Sequence, residues 1–351
     1  MWYMTELSQT GSYHKKKNGV CQDAVSVSRS VSEEDSGTSA GNRCRETYVI
    51  ALADGAGSAM RSETGARIAV EYVSSHLASG FEKIYREKNA EKVSRKLIKG
   101  LRTRLREQSR QDGMPLKAYA STLLAVAVRE DRYIIIHLGD GVIGYLKEGR
   151  LSVASAPDNG DFANITCFTT SKCAYRAVRL FKGELKGIQG FLLMSDGAET
   201  SLYSRRGNIL APGLLEAMRV SAILGDKMAE KVIGEWFLDS VVSQTADDCS
   251  LVMMVSNCAF PLYEEVNAGE RHRLFGTGAF RKYEKQLIAG MDSVLREVCG
   301  RGGKGITQKE LKKTQKMREV DLKKVLQMLL SLHFVYMENS RIYSGMRELT
   351  G

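Results

Sequence analysis

At 351 residues, with 43% hydrophobic and 26% charged residues, the chain has the composition of an ordinary globular protein and the length of two domains. No apolar run approaches the roughly 20 residues needed to span a bilayer, so no membrane association is expected. The start, Met1-Trp2-Tyr3-Met4-Thr5-Glu6, lacks the basic-then-apolar order of a secretory signal. The net charge of +10 is uneven: from Glu270 onward 17 Lys and Arg stand against 9 Asp and Glu, and before it 34 against 32. A basic C-terminal region suits either an acidic partner or a solvated tail. Seven cysteines, at 21, 44, 167, 173, 249, 258 and 299, are odd in number and never spaced Cys-x-x-Cys. That argues for reduced thiols and a cytoplasmic location, and against a zinc cluster or a disulfide framework.

In chain order, strands are expected at 24–29 and 47–53, with a polar Ser/Glu/Gly-rich loop between them. Helical periodicity follows from Glu63 to Tyr85, with apolar residues at 68, 69, 72, 73, 77 and 81, and a very basic helix from Ala90 to Gln108. Strands at 121–128, 132–138, 142–147 and 150–154 are joined by short turns such as Gly139-Asp140-Gly141. Strands at 177–182 and 190–195 are separated from a last one, 250–256, by helices near 212–222 and 226–242. Hairpin-linked strands with helices inserted in pairs predict an α+β fold, an antiparallel β-sandwich flanked by helices. Residues 258–280 read as a linker between a domain of residues 1–257 and another of 281–351. In the latter, a helix at 282–299 precedes Thr307 and Glu310, spaced as a capping box. A helix at 319–332 and two short strands, 334–337 and 341–344, complete the outline of a small winged helix-turn-helix.

Four acidic motifs punctuate the first region: Gln22-Asp23-Ala24, Ala53-Asp54-Gly55, Ser195-Asp196-Gly197 and Asp247-Asp248-Cys249-Ser250. Asp54 and Asp196 follow buried-strand patterns, and Asp247 precedes one. Aspartate is poor in strand interiors and costly to bury unpaired. Carboxylates at the ends of several core strands therefore want a shared counter-charge, and the usual one is a divalent metal bound through oxygen.

Taken in order, these pieces resemble the metal-dependent protein phosphatases of the type 2C family, in particular a bacterial branch. The motifs that carry the resemblance are Gly11-Ser12-Tyr13-His14, Gln22-Asp23-Ala24, Ala53 to Ser58 ahead of Glu63-Thr64-Gly65-Ala66, Ser121-Thr122, Gly139-Asp140-Gly141, Met194 to Gly197, and Asp247 to Ser250. A lone Asp-Gly is usually a turn, but this many pieces in order are specific. The resemblance implies two Mn²⁺ or Mg²⁺ ions, with Asp54 bridging, Gly55 giving a carbonyl, and Asp23, Asp196 and Asp247 completing the site. It implies direct attack of a metal-bridging hydroxide on phosphoserine or phosphothreonine of a phosphorylated protein substrate. Asp248, usually Asn in the family, is expected to support the ligands rather than to be one. Asp140 matches a weaker third metal position, and reads equally as a hairpin-turn residue. Many members carry a phosphate-binding Arg where this chain has His14, and a general-acid His where it has Ala56. His14, or the lysines at 15–17, could hold the phosphate instead.

Two rival readings remain at this point. Cys173 and Arg179 have the spacing of a cysteine-dependent phosphatase, but no glycine-containing loop lies between them. A regulatory protein that uses a weak or dead phosphatase domain as a scaffold is the alternative from another class. The C-terminal region fits DNA, through lysines 309–316 with Arg341 and Arg347, or a protein partner. Glu319 and Asp321 would oppose a DNA backbone.

Overall fold

The computed structural model describes residues 1–17, 19–34, 43–157, 166–172, 174–261, 263, 265–269, 271, 284–331 and 334–345. The chain opens with β1 (Trp2–Gln9), the short helix α1 (Ser12–Lys16), β2 (Ala24–Glu34) and β3 (Arg43–Ala53). Two long helices follow, α2 (Ser62–Arg86) and α3 (Ala90–Gln111). Next come β4 (Leu123–Arg129), β5 (Arg132–Leu138), β6 (Val142–Lys147) and β7 (Arg150–Ser155). The turn α4 (Ala174–Ala177) leads to β8 (Arg179–Glu184), β9 (Ile188–Met194) and α5 (Asp196–Leu202). A small hairpin, β10 (Tyr203–Ser204) and β11 (Ile209–Leu210), precedes α6 (Gly213–Leu224), α7 (Asp226–Ser240) and β12 (Cys249–Ser256).

These strands form two five-stranded antiparallel sheets, ordered β1-β12-β9-β6-β7 and β2-β3-β4-β5-β8. Period-two alternation gives each sheet two apolar faces. In β3, Tyr48, Ile50 and Leu52 pack between the sheets, whereas Val49, Ala51 and Ala53 pack under α2 and α3. In β12, Val252 and Met254 face the other sheet, and Leu251, Met253 and Val255 face α6 and α7. The result is a sandwich of two sheets between two helical layers, as the strand and helix patterns predict.

Two local features depart from the sequence reading. Trp2–Gln9 is a full edge strand, paired from Trp2↔Ser256 to Gln9↔Cys249. Its alternation is blurred, because Met4 and Thr5 are both buried. Gly139-Asp140-Gly141 is not a hairpin turn, since β5 and β6 lie in different sheets and this segment crosses between them. Gly139 is needed there: its φ is 116°, and a Cβ would stand 2.6 Å from the Thr122 side chain.

Beyond β12, helix α8 (Lys285–Cys299) is followed by β13 (Ile306–Thr307), α9 (Gln308–Thr314), α10 (Glu319–Ser331), β14 (Val335–Glu338) and β15 (Arg341–Ser344). The strands form a sheet ordered β13-β15-β14. Thr307 and Glu310 make the expected capping box. Arg347 lies outside the described residues. Part of the segment expected as a linker is packed rather than exposed. Tyr263 donates to Asp292 Oδ1 at 2.6 Å, and Arg271 Nε donates to the same oxygen at 2.7 Å, with all three residues buried. Asp292→Ala should therefore cost about 3–5 kcal/mol in urea unfolding followed by circular dichroism, because it strands a buried guanidinium. A loss under about 1 kcal/mol would mean that Arg271 reaches water instead.

Candidate metal centre

Strand register brings the acidic motifs together. Ala24 pairs with Ala53, so Asp23 and Asp54 leave one end of the first pair of neighbours. Met194 pairs with Leu251, so Asp196 and the Asp247-Asp248 turn leave one end of the second. Asp140 enters from the crossover between the sheets. Thr122 fixes Asp54 from both sides: the Asp54 N–H donates to Thr122 Oγ1 at 2.8 Å, and the Thr122 N–H donates to the Asp54 carbonyl at 2.8 Å. Gly55 donates to the Gln22 carbonyl at 3.1 Å, and a Cβ there would stand 2.7 Å from that oxygen, so the approach requires glycine.

The electrostatics record the crowding. Burial, followed by the charges of Asp23, Asp196, Asp140 and Asp247, holds the Asp54 carboxyl well above the usual carboxylate range. Burial pushes Asp23 up to about 7; the Ser250 and Ser195 hydroxyls pull the other way, and Asp248 and Asp196 add to the rise. Burial and the charges of Asp247 and Asp140 push Asp196 up to about 6. Asp247 is exposed, and Asp140 is half-buried and accepts from Thr166 Oγ1 at 2.7 Å.

One atom tests whether these residues suit a cation. Asp23 Oδ2 is buried with no hydrogen-bond partner, a position a hard cation satisfies and a proton satisfies only in part. Among the described residues no group of three or more His, Cys, Asp or Glu side chains is placed so that it could hold a metal ion as a ready-made cage. Hard cations that keep part of their water shell do not need one. The donor set fits divalent metal.

Asp248 has a different place. Its Oδ1 accepts from the Gly11 N–H at 2.7 Å, and its Oδ2 accepts from the Gln22 N–H at 2.6 Å and meets His14 Nδ1 at 2.9 Å. Backbone donors face both oxygens, so the carboxylate acts as acceptor throughout, and the network assigns the imidazole proton to Nδ1. An amide here would set its NH₂ against a backbone N–H. Asp248 thus ties α1, the approach to Asp23 and the Asp247 turn together, and sets His14 beside them. Its backbone partners leave no mark in a sequence, so this clamp was not legible there.

Among the described residues, two thiols near the carboxylates are held in the neutral form. Burial pushes Cys21 and Cys249, the cysteines nearest the carboxylates, up to about 12. Cys173 lies outside the described residues. Its spacing partner Arg179 begins β8 after the helical turn α4, so the strand expected at 177–182 starts at Arg179. Arg179 donates to the Ala156 carbonyl at 2.6 Å and contacts His137.

Known proteins resemble this chain. A family profile described as Protein phosphatase 2C matches residues 10–236. Serine/threonine-protein phosphatase 3 of Escherichia coli K12 is 24% identical over 181 residues, covering 51% of this chain and 67% of that protein. Among solved structures, the catalytic domain of the serine/threonine phosphatase PstP in complex with two manganese ions is 17% identical, with 72% of this chain and 97% of that chain covered and a TM-score of 0.48. Stp1 from Staphylococcus aureus is 17% identical, with 73% and 95% covered and a TM-score of 0.45.

The raised carboxyls fix the sign of a pH effect. A group whose folded pKa is raised stabilises the fold while protonated and loses that contribution as pH rises through the folded value. For Asp23 and Asp196 those values are about 7 and about 6. In EDTA, the melting temperature should fall between pH 5 and pH 8, and Mn²⁺ should restore it most at pH 8. A metal-free melting temperature that stays flat or rises over this window would contradict the shared burial of these carboxylates.

Proposed function

The chain belongs to the protein phosphatase 2C family and is a metal-dependent serine/threonine protein phosphatase, and we infer that Asp23, Asp54, Gly55, Asp196 and Asp247 hold two Mn²⁺ or Mg²⁺ ions. Asp140 is assigned to a weaker third position. The observation that carries this reading is the buried, partnerless Asp23 Oδ2 among carboxyls pushed up by one another's charge. When bound, two such ions supply Lewis acidity, lowering the pKa of water and neutralising phosphoryl oxygens.

The protein's own groups do the rest. Asp54 is pinned by Thr122 at the centre of the set, and the Gly55 carbonyl and Asp23 are aligned by the Gln22 backbone. Asp248 holds His14 by Nδ1, leaving Nε2 to meet a phosphate oxygen of the substrate. Bound as an imidazolium, His14 would add one positive charge, with Lys15 to Lys17 exposed beside it. The substrate class is phosphoserine and phosphothreonine in proteins, and the setting is a bacterial cytoplasm. Asp54→Asn or Asp196→Asn should lower turnover on a phosphopeptide by about 10² or more while the protein stays folded. Full activity in EDTA, or an unimpaired Asp54→Asn protein, would remove the metal assignment.

The domain division at 257 and 281 is part of the same reading, with the C-terminal unit a winged helix. Its helix, strand, two helices and hairpin support that shape. Of the two partners, protein is favoured over DNA by the way the cations are engaged. Lys312 pairs with Glu319 at 2.6 Å, Lys323 with Glu319 at 3.5 Å and Arg318 with Asp321 at 2.8 Å, while Arg341 donates to the Lys304 and Gly305 carbonyls. Cations already facing carboxylates release few counterions from a nucleic acid. The full-length protein should therefore show no duplex shift at about 150 mM salt, and a log K against log salt slope shallower than about −3 at lower salt. A slope of −4 to −5 would return DNA to first place.

A further inference from the structure

β2 is the edge of its sheet and runs directly out of the metal centre, since Asp23 immediately precedes Ala24. Among the described residues it pairs only with β3, along a ladder from Ala24↔Ala53 to Glu34↔Arg43 that has no bulge. Exposed edges are usually blunted by Pro, Lys or a bulge. From Ala24 to Val31 this strand has neither Pro nor Lys, and Arg29 is its one charge.

Its side chains leave space where an ordinary strand would fill it. Val25 and Val27 face the other sheet. Ser26 faces α2, with its Oγ 3.1 Å from Ser74 Oγ, and period two places Ser28 and Ser30 on the same side. The consequence is a groove of about 600 Å³ between β2 and α2, lined by Ser26, Ser28, Ser30, Val31, Ser74 and Ser75 among others. The Ser28 hydroxyl is buried without a hydrogen-bond partner.

We propose that the β2 edge and this groove are the docking surface for the phosphoprotein substrate, which binds as an added extended strand. The proposal rests on the catalytic reading above and goes beyond it by naming the form of substrate. An extended segment satisfies the free edge through its own backbone, and the small serine-lined groove accepts varied side chains without demanding a sequence. Direction follows from topology. The sheet is antiparallel throughout, and β2 runs away from Asp23, so an antiparallel partner runs toward it. Residues N-terminal to the phosphorylated one therefore occupy the groove. Ser26 to Val31 lie roughly 10 to 26 Å from Asp23 at about 3.3 Å per residue, which corresponds to about three to eight substrate residues.

The test uses the full chain with Mn²⁺ and phosphoserine peptides of fixed core. Extending the N-terminal flank by six residues should raise kcat/KM on the order of ten-fold or more, from two or three added backbone hydrogen bonds, and an equal C-terminal extension should not. Single N-methylation along the N-terminal flank should cost about five-fold at alternate residues and little between them, the signature of strand pairing. Ser75→Trp, on the exposed face of α2, should fill the groove and erase the gain from extension while leaving the short peptide unchanged. Turnover of p-nitrophenyl phosphate in the same preparation reads the metal centre alone. Its absence would overturn the catalytic reading and this proposal with it. Normal turnover with a flat N-methyl scan, or an equal gain from C-terminal extension, would overturn the edge-strand docking alone.

Discussion

Like charges packed at one end of a β-sandwich are the constraint around which this molecule is arranged. Asp23, Asp54 and Asp196 are each driven toward protonation by burial and by one another. No arrangement of water relieves that as fully as a divalent ion. The rest of the domain must hold these ends in place while the centre is unpaired. Two sheets with apolar residues on both faces, each backed by a pair of helices, supply that rigidity.

Small connections carry the precision. Thr122 and the Gln22 carbonyl fix the Asp54-Gly55 corner, and Asp248 gathers Gly11, His14 and Gln22 into one hydrogen-bonded knot. The backbone of Asp247-Asp248 passes so close to Gly197 that a Cβ there would come within 2.1 Å of the Asp248 carbonyl. The acidic turn is thereby held between α1 and the start of α5. A phosphate-facing role for His14 is physically coherent only because Asp248 already commits its other ring nitrogen.

Much of this was written plainly in the chain. The core strands announced themselves because their two apolar faces give near-continuous runs such as Tyr48 to Leu52 and Leu251 to Val255. The aspartates announced themselves because they interrupt such runs. The illegible parts have a common cause, which is dependence on partners far away in sequence. β1 is defined by pairing with β12, some 250 residues on, and its own alternation is imperfect. Gly139-Asp140-Gly141 has the composition of a hairpin turn, and only the assignment of β5 and β6 to different sheets makes it a crossover. Tyr263 and Arg271, which bond to Asp292 of α8, lay in the stretch read as a linker, because buried polar contacts follow no apolar period.

If these buried, mutually repelling carboxylates are held for divalent ions, metal binding must displace protons. Calorimetric titration of the metal-free protein with Mn²⁺, in buffers of different ionisation enthalpy, reads it most directly by counting the protons released. Carboxyls held at about 7 and about 6 must give up protons to bind metal. Proton release near pH 6 should disappear by pH 8.5, and apparent binding should tighten as pH rises. Binding heats independent of buffer at pH 6, or no saturable Mn²⁺ binding, would contradict this.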